Sequence, residues 1–307
     1  MKLFDLHCDT LYECAVKNID MKINDLQISL ERGAKYSPWF QCFAVWMPDE
    51  LRGHAAEEHF DRCYEYLQRQ IDKHSDFIVQ YTGGDFDGAD KRCRAVLTVE
   101  GGSAFAGKPE RILYLKKCGV AAVTLTWNGA NEICDGVMTE NAGGLTDFGF
   151  DCVREMESCG IVVDVSHISQ KGFWDVDSVA QKPYIATHSN SGFIRSHVRN
   201  LTDEQFTAIK NRGGLVGINL YTKFVADGDD YTLEQLKRHI DHFLSLGGER
   251  VLAIGTDFDG AQMPSCLGDI SRLDSLYDYL LQGGCSEQLC DDIFFNNAYS
   301  FMRKYAF

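Results

Sequence analysis

Proline is scarce in this chain, five in 307 residues, and no Pro-rich or Ser-rich stretch divides one part from another. Without such a linker there is nowhere to cut it, and a single domain spanning residues 1–307 is the simpler reading. Positive charge is also short, since 30 Lys and Arg stand against 45 Asp and Glu and leave a formal charge of −15. That balance repels a phosphate backbone and no segregated basic patch offsets it, so nucleic acid is not expected as a partner. No apolar run has the length of a membrane span. The beginning, Met1-Lys2-Leu3-Phe4-Asp5, meets charge at once, and the last twelve residues carry Arg303 and Lys304. The expectation is a cytoplasmic protein without a membrane partner. Paired cysteines are missing too: twelve are scattered singly with no CxxC, which fits a reducing compartment and not a disulfide framework.

What is present is a repeated alternation. Eight short apolar runs (Lys2–Leu6, Gln41–Trp46, Ala95–Val99, Ala121–Thr126, Ile161–Val165, Tyr184–Thr187, Leu215–Asn219 and Val251–Gly255) are followed by polar or Gly-containing residues. Between them lie segments with helical spacing: Glu57–Lys73, Pro109–Cys118, Phe150–Ser158, Thr202–Asn211, Leu233–Leu246 and Asp269–Gln282. Thr202 with Gln205, and Thr232 with Gln235, read as capping boxes. Gly119, Gly160, Gly213 and Gly247 stand where helices should end. Eight strands alternating with helices in one domain predict an α/β fold, a (β/α)8 TIM barrel, with a doubly wound open sheet as the structural competitor.

Barrel enzymes carry their chemistry where the C-terminal ends of the strands converge. His7-Cys8-Asp9 follows the first run, Glu100 the third, Ser166-His167 the fifth, His188 the sixth and Asp257-Phe258-Asp259-Gly260 the eighth. In extended chain i and i+2 share a side, so His7 and Asp9 face one way and Cys8 the other. Three imidazoles and two carboxylates suit a borderline divalent metal such as Zn²⁺. Five ligands exceed one open catalytic site, but two metals sharing a bridging carboxylate, with Glu100 as the candidate, would use them all and hold a hydroxide between them.

Other clusters are set aside. His239 and His242, three apart, are expected on a solvated helix face outside the barrel. Asp85-Phe86-Asp87-Gly88 repeats the strand-end motif in letters but follows a Gly-Gly turn, and Asp227–Asp230 lacks the later ligands of a calcium loop.

Taken in order, His7-Cys8-Asp9, Val99-Glu100-Gly101, Asp164-Val165-Ser166-His167, Thr187-His188-Ser189, Arg199-Asn200, Gly255-Thr256-Asp257-Phe258-Asp259-Gly260 and Asn297-Ala298-Tyr299 resemble the membrane dipeptidase (renal dipeptidase) family over nearly the whole chain. The resemblance implies a zinc-dependent dipeptidase on a (β/α)8 barrel with two zinc ions per chain. His7, Asp9 and Glu100 would hold one, and Glu100, His167 and His188 the other. It also implies that Arg199 takes the C-terminal carboxylate of a dipeptide, and that Asp257 handles protons and meets the substrate's amino group. Lacking a signal and a lipid anchor, the chain resembles the soluble bacterial-type members, which act on dipeptides and often accept a D-residue at the C-terminal position. Barrel enzymes of this kind are often homodimers, but no interface is legible in these residues.

One departure stands out. Members of the family commonly place a His directly after the Leu-Thr of the fourth run, whereas this chain reads Leu125-Thr126-Trp127-Asn128-Gly129. Asn128 is a candidate donor to a developing oxyanion in its place, and Trp127 a candidate wall of the substrate pocket or a packed core residue. Two rival functions stay open: another binuclear-metal hydrolase acting on an amide, lactone or ester, and a catalytically weak metal-binding barrel.

Overall fold

The computed structural model describes residues 1–307. Eight β-strands are formed: β1 (Leu3–Asp5), β2 (Trp39–Trp46), β3 (Ile78–Gln80), β4 (Cys93–Glu100), β5 (Val120–Thr124), β6 (Val162–Asp164), β7 (Val216–Ile218) and β8 (Leu252–Ile254). All their pairings are parallel, and the path runs β6-β5-β4-β2-β1-β8-β7. The two ends of the path are joined by Tyr184–Thr187, through parallel bridges from Asp164 to Ile185 and from Ala186 to Val216. The sheet therefore closes as a TIM-barrel-like fold.

Two of the expected strands differ from their sequence reading. Gln41–Trp46 grows into an eight-residue strand paired with β4 along its whole length. Tyr184–Thr187 hydrogen-bonds on both sides, Ile185 N–H to Val163 and Ala186 N–H to Leu215, yet forms no regular ladder. The reason is local, since the Thr187 N–H donates to the Asp164 carboxylate and not to a strand. The short β3, absent from the sequence reading, covers Cys93–Ala95 of β4, while β5 pairs with Leu97–Glu100 of the same edge after a register shift.

Most predicted helices appear within a few residues of their expected bounds, as Gly53–Lys73, Glu110–Lys117, Asp147–Cys159, Asp203–Asn211, Leu233–Ser245 and Leu273–Gln282. The Thr202 box closes in both directions: its hydroxyl accepts from Gln205 N–H at 3.2 Å and its N–H donates to the Gln205 side chain at 3.0 Å. At Thr232 the Gln235 side chain accepts from the cap N–H. Gly160 takes the left-handed conformation at the end of its helix, which a side chain would strain.

Phe4, Phe40, Val96, Ala122, Val162, Ile185, Leu215 and Ala253 come from all eight barrel segments and meet in one apolar cluster, the lumen. Phe295, Phe301 and Met302 of the C-terminal segment continue it. A larger core lies between barrel and helices. Gly217 and Gly255 close on the Thr187 carbonyl, where a Cβ on either would stand 1.8 Å from the oxygen. This packing fixes the height of the residues that follow Thr187. No helix is long and apolar enough to cross a membrane.

Candidate active site

The strand ends deliver the expected side chains to one buried point. His7 follows β1, Glu100 ends β4, His167 follows β6, and His188 follows the Tyr184–Thr187 segment. His167 and Asp257 both have left-handed backbone, φ 66° and 64°. Non-glycine residues adopt this conformation at a cost, and here it falls at two strand ends that border the candidate site.

The distances describe two overlapping donor sets. Glu100 Oε1 lies 2.9 Å from His167 Nε2, 3.3 Å from His188 Nε2 and 3.7 Å from His7 Nε2. His7 Nε2 lies 3.4 Å from Asp9 Oδ2 and 3.8 Å from Asp257 Oδ1. The ligand atoms of His7, Asp9 and Glu100 all fall within 4.8 Å of one another, as do those of Glu100, His167 and His188, and those of His7, His188 and Asp257. Cys8 turns away as expected; its thiol is buried against the Cys42 carbonyl, and burial pushes it well above the usual range.

Three observations test whether this set fits a cation. The buried His7 Nε2 and Asp9 Oδ1 have no hydrogen-bond partner in the protein, a costly state for buried polar atoms. His167 and His188 aim Nε2 at each other across 2.9 Å, while their Nδ1 atoms are engaged by Asn128 Oδ1 at 3.0 Å and Thr187 Oγ1 at 2.8 Å. Burial pushes both rings well below the ordinary histidine range, so neither carries a charge to match the carboxylate between them. Finally, Gly260 leaves open a space that a Cβ would fill, 2.0 Å from Asp9 Oδ2. Two imidazole nitrogens converging on each other and on one carboxylate oxygen make a donor set that suits a divalent cation.

The other groups are tuned by the same surroundings. Burial disfavours charge on His7, but Glu100 and Asp9 outweigh it and raise the ring to about 10. Burial pushes the Asp257 carboxyl up to about 6, partly offset by His7 and by the hydrogen bond from Asn219 Nδ2 at 2.9 Å. Burial lowers Arg199 to about 10, which leaves it charged at neutral pH. Its Nε and Nη2 are buried without partners.

Above the cluster opens a cleft of about 670 Å³. One wall is Phe224 with His197, Tyr221 and Arg199 against it, the guanidinium 5.4 Å from the Phe224 ring. The other is a chain of edge contacts, Tyr12 to Trp46 and Trp46 to Trp127, each with ring centroids 4.9 Å apart. Trp127 is thus half-buried in the cleft wall, and the Asn128 side-chain carbonyl is engaged by His167. The sequence reading missed Asn219, Thr187, Tyr12, Trp46 and Tyr221. Asn219 ends an apolar run, as the ligands do, and that position was the available signal.

His239 corrects an expectation. It is not on a solvated face: it is fully buried, accepts from Ser191 N–H at 3.1 Å on Nδ1 and donates to the Val225 carbonyl at 3.0 Å from Nε2. It thereby ties the loop that carries Arg199 to the short helix Thr222–Val225 that carries Phe224. His242 pairs with Asp203 and stacks on Phe193. Burial lowers His239 to about 4, whereas an unfolded histidine protonates near 6.5. The unfolded chain therefore binds the extra proton, and stability falls as pH drops from about 6.5 through 4, by about 3 kcal/mol in all. Urea denaturation at pH 7 and pH 4 should show a smaller acid loss for His239→Gln than for the unsubstituted chain. Equal losses would refute this assignment.

Comparison with known proteins agrees with the fold. The family model described as membrane dipeptidase, peptidase family M19, matches residues 1–306. An uncharacterised Klebsiella pneumoniae protein from the pqqA 5′ region is 35% identical over 218 residues, which is 68% of this chain and 80% of that protein. Among solved structures, a metallopeptidase from Rhodobacter sphaeroides liganded with a phosphinate mimic of the dipeptide L-Ala-D-Ala superposes with a TM-score of 0.90 at 22% identity, covering 100% of this chain and 99% of that one. The dipeptidase AC, also a metallopeptidase, superposes with a TM-score of 0.91 at 24% identity over the same shares.

Proposed function

Because the chain belongs to the membrane dipeptidase family, peptidase family M19, we propose that it is a zinc-dependent dipeptidase that holds two metal ions and accepts a D-residue at the C-terminal position of its substrate. The observation that carries this reading is the pair of overlapping donor sets sharing Glu100, with His7, Asp9, His167 and His188 around it. Metal bound there supplies Lewis-acid polarisation of the scissile carbonyl and a nucleophile available at neutral pH.

The chain's own residues do the rest. Arg199 offers an unpaired, charged fork inside the cleft, and a planar guanidinium matches the C-terminal carboxylate of a dipeptide. Asp257, held through Oδ2 by Asn219, keeps Oδ1 toward the cluster. With a carboxyl raised to about 6 it is suited to receive a proton and pass it to the leaving amine, and to meet the substrate ammonium. Asn128 and Trp127 border the scissile region, Asn128 by fixing the His167 ring and Trp127 as wall. Gripping both termini leaves little demand on the second side chain, which supports tolerance of either hand there. The mimic of L-Ala-D-Ala in the Rhodobacter neighbour is in keeping with this.

The test is release of free amino acids from a panel of L-L and L-D dipeptides by zinc-loaded protein, beside a chelated sample. Release abolished by chelation and restored by zinc is expected. No release from protein that holds two metals per chain would move the substrate to a different amide or ester.

A further inference from the structure

Behind the two converging histidines the protein is asymmetric. His167 leans on the side-chain carbonyl of Asn128, a half-buried loop residue at the cleft. His188 leans on Thr187, and Thr187 leans on Asp164, a fully buried carboxylate at the end of β6.

Four donors converge on Asp164. Oδ2 accepts from the hydroxyls of Thr124 and Thr187, both at 2.6 Å, and Oδ1 accepts from the N–H groups of Ser166 at 2.9 Å and Thr187 at 3.0 Å. These partners belong to β5, to the turn after β6 and to the Tyr184–Thr187 segment, so one carboxylate spans the part of the barrel where the ladder is reduced to single bridges. Proton counting then fixes the next link. The Thr187 hydroxyl has one proton, and its shortest contact, 2.6 Å, is to the Asp164 carboxylate, against 2.8 Å to His188 Nδ1 and 3.3 Å to Ser166 Oγ, so the carboxylate is the acceptor it favours. What Thr187 Oγ1 presents to His188 Nδ1 is therefore a lone pair, so Nδ1 carries the ring proton and Nε2 is bare. All of these groups are buried, and no solvent competes for the bonds.

We propose that Asp164 is a positioning residue which, through the Thr187 hydroxyl, sets the tautomer and orientation of His188 before any metal arrives, and that the barrel seam and the metal site are built by the same carboxylate. This rests on the reading of His188 as a metal ligand. Partners behind a ligating histidine typically change metal affinity about 10–100-fold when removed.

Thr187→Val keeps the shape and removes the hydroxyl, whereas Thr187→Ser keeps the hydroxyl. In chelator-competition titrations with zinc, Thr187→Val should bind at least one ion about 10–100-fold more weakly, while Thr187→Ser stays within about threefold of the unsubstituted protein. Thermal midpoints of the metal-free variants should lie within a few degrees of each other, so that the loss is not one of folding. Independently of any variant, nitrogen NMR of the metal-free, histidine-labelled protein should show the His188 proton on Nδ1 and protected from exchange. Equal zinc affinity in the two variants, or a proton on Nε2, overturns the relay alone. An unsubstituted protein that binds no zinc overturns the metal-site reading together with it.

Discussion

Glu100→Gln protein should hold fewer than two zinc ions per chain and lose about 10³-fold or more in dipeptide turnover. The substitution keeps size and buried shape while removing the one charge that touches both donor sets, at 2.9 and 3.3 Å from His167 and His188 and 3.7 Å from His7. Burial pushes the Glu100 carboxyl up, but His7, His188 and Arg199 outweigh it and hold it below the usual range, so the native group is anionic. An amide offers one weaker donor oxygen and cannot neutralise two cations. Metal polarisation of a carbonyl is worth several kcal/mol, and each 1.4 kcal/mol is tenfold in rate, which sets the expected scale. Metal analysis and kcat/KM on the same preparation check it. Two ions retained with full activity would remove Glu100 from the centre of the site.

Arg199→Met should act on a different quantity. Arg199 is 6% exposed, charged, and two of its nitrogens have no partner in the protein. Burying a charge without a partner is costly, which is tolerated where a ligand carboxylate completes it. Losing such a buried charge-assisted pair costs about 2–5 kcal/mol, so kcat/KM for dipeptides should fall by about 30-fold to a few thousand-fold, largely through KM. The decisive comparison uses dipeptide amides, which lack the carboxylate. The unsubstituted enzyme should discriminate strongly against them, and Arg199→Met should discriminate little. If the variant keeps the full preference for the free carboxylate, Arg199 does not read that group.

The candidate site was unusually legible because its ligands stand at the ends of short apolar runs. His7 with Asp9, Glu100, His167 and His188 lie in four sequence neighbourhoods, and strand-end placement alone brings them together once the barrel closes. Caps were legible for a similar reason, since the Thr202 box is completed within four residues. Trp127 and Asn128 were visible as a departure, but the departure did not reveal that Asn128 engages His167 or that Trp127 abuts Trp46, a residue 81 positions away.

His239 is the instructive failure. Its helix has polar spacing, and two histidines three apart read as solvated. The loop that carries Ser191 and the short helix that ends in Val225 fold over it, and no local pattern announces which segment will cover a helix. β3 is three residues long and carries too little period to be seen. What the amino-acid order determined by itself was the alternation of strands and helices, the caps, and the identity of the donor atoms, because each depends on residues close in sequence. Only the tertiary structure decided how the barrel seam closes through Asp164, which nitrogen of His188 faces Thr187, how Asn219 orients Asp257, and which groups are stripped of water. Those outcomes depend on hydrogen bonds and burial between residues more than twenty positions apart, whose partners exist only once the chain has closed on itself.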